Sequence, residues 1–207
     1  MIDYKTVKRQ QTVEFMEKKS KFIANVKPVS EEAEAINFIL DVSKQHRTAS
    51  HNVYAYRLLK GNLSRYSDDG EPAQSAGFPI LDMVMKRDIY DIAVVVTRYF
   101  GGTLLGKGGL VRAYQTSAWQ GIEQSIIIER RAGARLSVSC EYSLYNQIES
   151  LIQHFDGKVV ESSFLDSVNV VFDILEENKA DFFKNLSEKT NGRAIATQTA
   201  NVYIDKS

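Results

Sequence analysis

Residues 167–175 read SVNVVFDIL, and Val168, Val170, Phe172 and Ile174 keep a strict period of two. That alternation predicts a half-buried β-strand. Upstream, Leu136, Val138 and Cys140 alternate in the same way. Leu144, Ile148, Leu151, Ile152 and Phe155 then recur at helical spacing, and Gly157 stands where a helix C-cap belongs. Lys158–Phe164 reads as a second strand. Downstream, Asn178 is placed to cap a helix bearing Phe182, Phe183 and Leu186, which Gly192 ends, and residues 193–204 form a last alternating strand. The order β-α-β-β-α-β within about 75 residues is the split βαβ pattern of ferredoxin-like domains.

The first 130 residues follow another pattern. TVEFMEKKSKFIANVKPV, residues 12–29, predicts two strands around a polar turn near Lys18–Lys21. Ser30 is placed to cap a helix with Glu31 and Glu32 in its first turn and Ile36, Ile39 and Leu40 as its buried stripe. NVYAYRLL, residues 52–59, is strand-like. A loop, a helix around residues 78–87, the strand IAVVVTRYF and a helix with Val111, Tyr114, Ala118 and Ile122 follow. This mixed order predicts an α+β protein of two domains, residues 1–131 and 132–207, the first a sheet covered by helices on one face. The boundary is expected near ERRAGAR, residues 129–135.

Composition narrows the function classes. Apolar residues make up 43% and charged residues 25% of 207, ordinary for a globular chain, and no apolar run has the length of a membrane span. The start, MIDYKTVKRQ, lacks the apolar segment of a secretory signal, so a cytoplasmic location without membrane association is expected. One cysteine, Cys140, and three histidines predict neither an internal disulfide nor a dedicated metal cluster, and no cofactor is expected. Net charge is zero, but residues 1–132 carry 19 Lys and Arg against 15 Asp and Glu, and the remainder 7 against 11. The basic half is the one suited to an anionic partner.

Two stretches carry chemistry. VVVTRYFGGTLLGKGGLVRAY, residues 94–114, places Gly101, Gly102, Gly106, Gly108 and Gly109 within nine residues between a strand and a helix. Gly101, Gly106 and Lys107 match the start of a phosphate-binding P-loop, but Gly108 stands where the magnesium-ligating Ser or Thr belongs. The remaining chain also lacks the βα units such an NTPase needs. Two readings stay open: glycines serving close helix–sheet contact, or an anion-contacting loop flanked by Arg98, Lys107 and Arg112. RYSDDGEPAQSAGFP, residues 65–79, clusters Asp68, Asp69 and Glu71 beside Gly70 and Pro72. Turn formation is the simpler account, and a cation site or an acid–base pair the alternative. His51 and Asn52 open a strand, where a lone histidine is more often hydrogen-bonded structure than a base. Any RNA contact is expected from Lys18, Lys19, Lys21, Arg98, Lys107 and Arg112, mainly to phosphates and therefore salt-sensitive.

Together KKSKFIA, HNVYAYRL, SDDGEPAQSAGFPILD and VVVTRYFGGTLLGKGGLVRAY closely resemble the motifs of the YigZ/IMPACT family over about residues 15–115. The family signature falls on His51, Asn52, Asp68, Asp69, Glu71, Arg98, Tyr99 and the glycines of the 101–109 stretch, among others. Val53 stands where the family often has Cys, Ala73-Gln74-Ser75 replaces a more usual Ser-Gly-Thr, and Lys107 occupies a position commonly held by a small residue. The resemblance implies an N-terminal β-α-β sandwich similar to a small-subunit ribosomal protein and to domain IV of elongation factor G. It implies a C-terminal domain similar to that factor's last domain.

For function, the resemblance implies a translation-associated regulator or binding module with RNA, the ribosome or a protein of translation control as partner. No catalytic role attaches to the signature in the family. A metal-assisted hydrolase or phosphoryl-group enzyme using Asp68, Asp69 and Glu71, or a protein-docking regulator without RNA contact, are the alternatives.

Overall fold

The structure is a computed structural model and describes residues 1–206. The described residues form a mixed α+β chain with five α-helices and two five-stranded sheets. The elements run β1 (Tyr4–Val7), β2 (Gln11–Glu17), β3 (Ser20–Pro28), α1 (Glu32–Gln45), β4 (His51–Leu58), β5 (Leu63–Ser67), α2 (Gly77–Lys86), β6 (Ile92–Tyr99) and α3 (Lys107–Gln124). They continue with β7 (Ile127–Cys140), α4 (Tyr142–His154), β8 (Lys158–Phe164), β9 (Val168–Leu175), α5 (Glu176–Thr190) and β10 (Ile195–Lys206). Two compact units emerge: Tyr4–Glu129, and Arg130–Lys206 together with Met1–Asp3. Among the described residues no helix is long and apolar enough to cross a membrane.

In the C-terminal unit, β7 and β8 both pair antiparallel with β9, and β10 pairs with β7. The resulting order, β10-β7-β9-β8, is that of a split βαβ. Val168, Val170, Phe172 and Ile174 all face the core, as their period requires, and meet Leu136, Val138, Ile148, Leu151 and Phe182. Cys140 is part of that core, and burial pushes its thiol up. Asn178 does not cap α5, which begins at Glu176; its side chain donates instead to the Phe155 carbonyl at 3.2 Å. β7 runs unbroken through the ERRAGAR stretch.

In the N-terminal unit the strand order is β2-β3-β6-β4-β5, every neighbour antiparallel. Helices cover both faces of this sheet, not one. Val53, Ala55, Ile92, Val94 and Val96 point to the side of α2 and α3, while Tyr56, Leu58, Ala93 and Val95 point to α1. The unbroken apolar run of β6 has this cause: a central strand buried on both faces needs apolar residues at both parities. The stripe of α1 also differs from expectation. Ala35, Phe38 and Val42 are buried, whereas Ile36 and Leu40 are 45% and 50% exposed. Ser30 lies just outside that helix, and its N–H donates to Glu34 Oε2 at 2.7 Å, which holds the Glu34 carboxyl below its usual range. β1 and β5 have no counterpart in the sequence pattern; both are short, and LSRYS of β5 is largely polar.

Candidate functional site

The register of the N-terminal sheet sets the site. His51 of β4 and Phe22 of β3 both lie opposite Arg98 of β6, on the face covered by α2 and α3. Arg98 is only 5% exposed, so its charge needs a partner. Glu71, from the loop between β5 and α2, supplies it: Arg98 Nη1 donates to Glu71 Oε1 at 2.7 Å. The Tyr114 hydroxyl of α3 donates to the same oxygen at 2.7 Å. Burial first, and then the Glu71 charge, pushes the Tyr114 phenol up, so it stays a neutral donor. His51 Nε2 stands 3.8 Å from that oxygen. Three residues from three elements thus meet at one loop carboxylate.

The three acidic residues of the 65–79 stretch do not converge. Asp68 Oδ1 accepts from the N–H groups of Ala76 and Gly77 at 3.0 and 2.8 Å, and Oδ2 from Gln74 N–H at 2.8 Å. It therefore serves the start of α2, where orphan N–H groups and the helix dipole favour an anion. Asp69 Oδ2 accepts from Asn52 N–H at 2.6 Å, and its carbonyl lies 2.7 Å from His51 Nδ1. Asn52 in turn accepts from the Thr97 hydroxyl at 2.7 Å, and Tyr99 pairs with His46 at 3.1 Å. By strand parity Asn52 and Tyr99 sit on the α1 side of the sheet, away from Glu71. Among the described residues no group of three His, Cys, Asp or Glu is disposed to hold a metal.

The glycine stretch joins β6 to α3 and borders the same place. Gly101 passes so close to the β2–β3 turn that an added Cβ would lie 2.0 Å from the Lys19 carbonyl. Gly106, at φ +71°, precedes the first turn of α3, and no side chain caps the helix there. Between this turn and the acidic loop lies a cleft of about 530 Å³, lined among others by His51, Glu71, Arg98, Phe100, Leu104 and Lys107. Arg98 and Lys107 share the cleft, but Arg98 is held by Glu71 while Lys107 is exposed. Arg112 is not with them; it lines a second concavity of about 250 Å³ with Lys18, Glu17 and Phe15. Lys21 is paired with Glu14 at 2.6 Å.

The Tyr114 hydroxyl is the functional group that sequence periodicity hid. Tyr114 reads as one more residue of the α3 stripe, and its ring does pack edge-on against Phe22 at 5.2 Å. A tyrosine at a fully buried helix position is the available signal, since its hydroxyl must find a partner.

Residues 18–122 match the Impact N-terminal domain, and residues 138–193 match a domain of unknown function, DUF1949. The chain is 34% identical over 204 residues to the IMPACT family member YvyE of Bacillus subtilis, covering 98% of this chain and 94% of that protein. It is 33% identical to the IMPACT family member YigZ of Escherichia coli, over 84% and 87% of the two chains. Protein IMPACT of mouse is 34% identical over 100 residues, 45% of this chain and 31% of that one. A crystal structure of a hypothetical protein superposes with a TM-score of 0.61 at 30% identity, covering 97% and 98% of the two chains. The cleft residues named above all fall inside the region matched by the Impact N-terminal domain. The chain belongs to the IMPACT family.

Proposed function

We propose that the protein is a non-enzymatic binding module of the translation apparatus that contacts RNA or ribosomal phosphates through its glycine loop. The observation that carries this reading is the uncapped first turn of α3, where Gly106, Lys107, Gly108 and Gly109 open an 18-residue helix at the edge of the cleft. Glycines leave the backbone N–H groups accessible, and the helix dipole adds partial positive charge, so a phosphate is the fitting ligand. Lys107 adds a full charge there, and Lys18 and Arg112 continue the basic surface in the neighbouring concavity. Arg98 shapes the cleft wall through Glu71 rather than meeting a phosphate itself. The association with translation rests on the family resemblance carried by the sequence motifs. A metal-assisted hydrolase has less support, because Asp68 and Asp69 are taken up by backbone N–H groups.

Co-sedimentation of the tagged protein with ribosomes and their subunits, at low and physiological salt, tests the reading. Binding that weakens as salt rises, persists at physiological salt and disappears in Lys107→Ala/Arg112→Ala is expected. A folded protein that binds at neither salt overturns the ribosome association, and undiminished binding by the variant overturns the role of the glycine loop. Recovery of a protein partner that survives nuclease treatment would favour docking to protein instead.

A further inference from the structure

The sheet of the C-terminal unit ends at β8, which among the described residues pairs only with β9. A strand in that place presents a row of free N–H and C=O groups along its outer edge. Most of the large apolar residues that this unit leaves in solvent gather there. Val159 and Val160 are 42% and 48% exposed, and Phe164, Leu165 and Tyr142 are exposed at the other end of the strand. Phe164 lies against the rings of Tyr142 and Tyr145, so the apolar edge continues onto α4.

A bulge arranges the charges of β8. Lys158 lies opposite Asp173 and Glu161 opposite Val171, and the register shift between Val159 and Glu161 leaves Val160 as the extra residue. In a regular strand, residues three apart point to opposite faces. Here Lys158 and Glu161 share a face, because Asp173 and Val171 alternate with the core residues Phe172 and Val170. It is the face turned away from α4 and α5. Both charged residues are exposed, and Asp173 is already held by Arg135 through two hydrogen bonds of 2.7 and 2.9 Å. One edge strand thus carries a cation and an anion on a single face, placed symmetrically about the Val159–Val160 bond.

We propose that β8 is the interface of a homodimer, in which two copies of the strand pair antiparallel about a two-fold axis at the Val159–Val160 bond. Lys158 of each copy then lies opposite Glu161 of the other, and Val159 lies opposite Val160 at the centre. The two C-terminal sheets become one. A two-fold interface uses the same patch twice, so a single self-complementary strand is enough to build it. Opposite charges facing one another across an antiparallel pair are favourable and like charges unfavourable. That complementarity of β8 with itself selects a second copy of this chain over an unrelated extended segment.

Sedimentation velocity of the full chain, from low micromolar to submillimolar concentration, tests this, with circular dichroism to show that each variant is folded. A reversible shift from monomer to dimer is expected. Val160→Lys, at an exposed position, is expected to leave a folded monomer. Lys158→Glu and Glu161→Lys, each alone, are expected to weaken dimerisation about tenfold, because each sets like charges opposite one another twice. An equimolar mixture of these two variants is expected to recover the dimer, since every cross-strand pair in the mixed dimer is again of opposite charge. A chain that stays monomeric over the whole range overturns the proposal and leaves the edge to a strand of another protein. A dimer that Val160→Lys leaves intact overturns the β8 interface. Charge variants that do not recover on mixing overturn the two-fold register.

Discussion

The Tyr114 hydroxyl and the Arg98 guanidinium each stand 2.7 Å from one oxygen, Glu71 Oε1, so a helix and a strand are tied together through a loop carboxylate. Hydrogen bonds to a charged group contribute about 1.5–3 kcal/mol each, and removing one partner of a buried ion pair costs about 3–5 kcal/mol. Tyr114→Phe is therefore expected to lower the stability of the N-terminal unit by about 1.5–3 kcal/mol. Glu71→Gln should cost more, because it leaves the Arg98 charge buried beside a neutral amide. Urea unfolding of the two single variants and the double variant measures this. The double variant should lose less than the sum, since both changes remove the same contact; strict additivity would mean that the residues do not share an interaction.

Asp68 is expected to act as a cap for α2 from outside the helix. Its two oxygens take three backbone N–H groups, of Gln74, Ala76 and Gly77. Asp68→Ala should destabilise by about 1–2 kcal/mol, as loss of a helix N-cap does. Amide exchange at residues 76 and 77 should accelerate more than exchange along β6. Unchanged protection at these amides would remove the capping role and reopen a ligand role for Asp68.

High pH offers a separate check. Burial, followed by the Glu32 hydrogen bond, pushes the Tyr56 phenol up to about 12 from an ordinary 10, and Tyr114 is also pushed up, chiefly by burial. A folded-state pKa above the unfolded value means that the neutral phenols contribute stability that is complete below about pH 10. That contribution is lost as pH rises towards about 12 for Tyr56 and beyond it for Tyr114. Stability should therefore fall above pH 10, and absorbance titration should show Tyr56 and Tyr114 ionising only at higher pH or on unfolding. In Tyr56→Phe/Tyr114→Phe the slope of stability against pH above 10 should flatten; an unchanged slope would place its origin elsewhere.

The physical reasons for what the sequence disclosed can be read residue by residue. The C-terminal unit was legible because β7 and β9 bury one face each, so Val138 or Phe172 signals its side of the sheet by period alone. In the N-terminal unit β6 is buried on both faces, which erases the period and hides that helices lie on two sides. Phase defeated the α1 stripe: small Ala35 is buried while larger Ile36 and Leu40 face out, since backbone position and not hydrophobicity decides which face meets the sheet. The site residues of the acidic and glycine loops were recognisable by type, but their partners were not. Glu71 meets Arg98 and Tyr114 across 27 and 43 residues, a separation that only the strand register and the placement of α3 close. Likewise nothing in the spacing of Arg98, Lys107 and Arg112 distinguishes the buried, paired arginine from the exposed lysine.

The glycines of the loop differ in what an added side chain would meet, and one pair of substitutions separates a packing role from a binding one. At Gly101 an added Cβ would overlap the Lys19 backbone, with carbon and oxygen both 2.0 Å away. Backbone atoms cannot rotate aside, so Gly101→Ala should shift the β2–β3 turn and cost about 1–3 kcal/mol, as overpacking does. At Gly108 the nearest atom to an added Cβ is the end of the flexible Arg112 side chain, at 3.8 Å, and the position lies in the first turn of α3. Alanine there should stabilise the helix by up to about 1 kcal/mol, because it removes the entropic penalty of glycine. If the first turn of α3 receives phosphate, the same methyl group obstructs approach to the backbone N–H groups, so Gly108→Ala should bind ribosomes or RNA less tightly while melting at a higher temperature. Thermal unfolding and salt-dependent RNA binding, measured on both variants, read the two effects apart. A Gly108→Ala protein that gains stability and keeps its full RNA affinity would show that Gly108 is not at the phosphate contact.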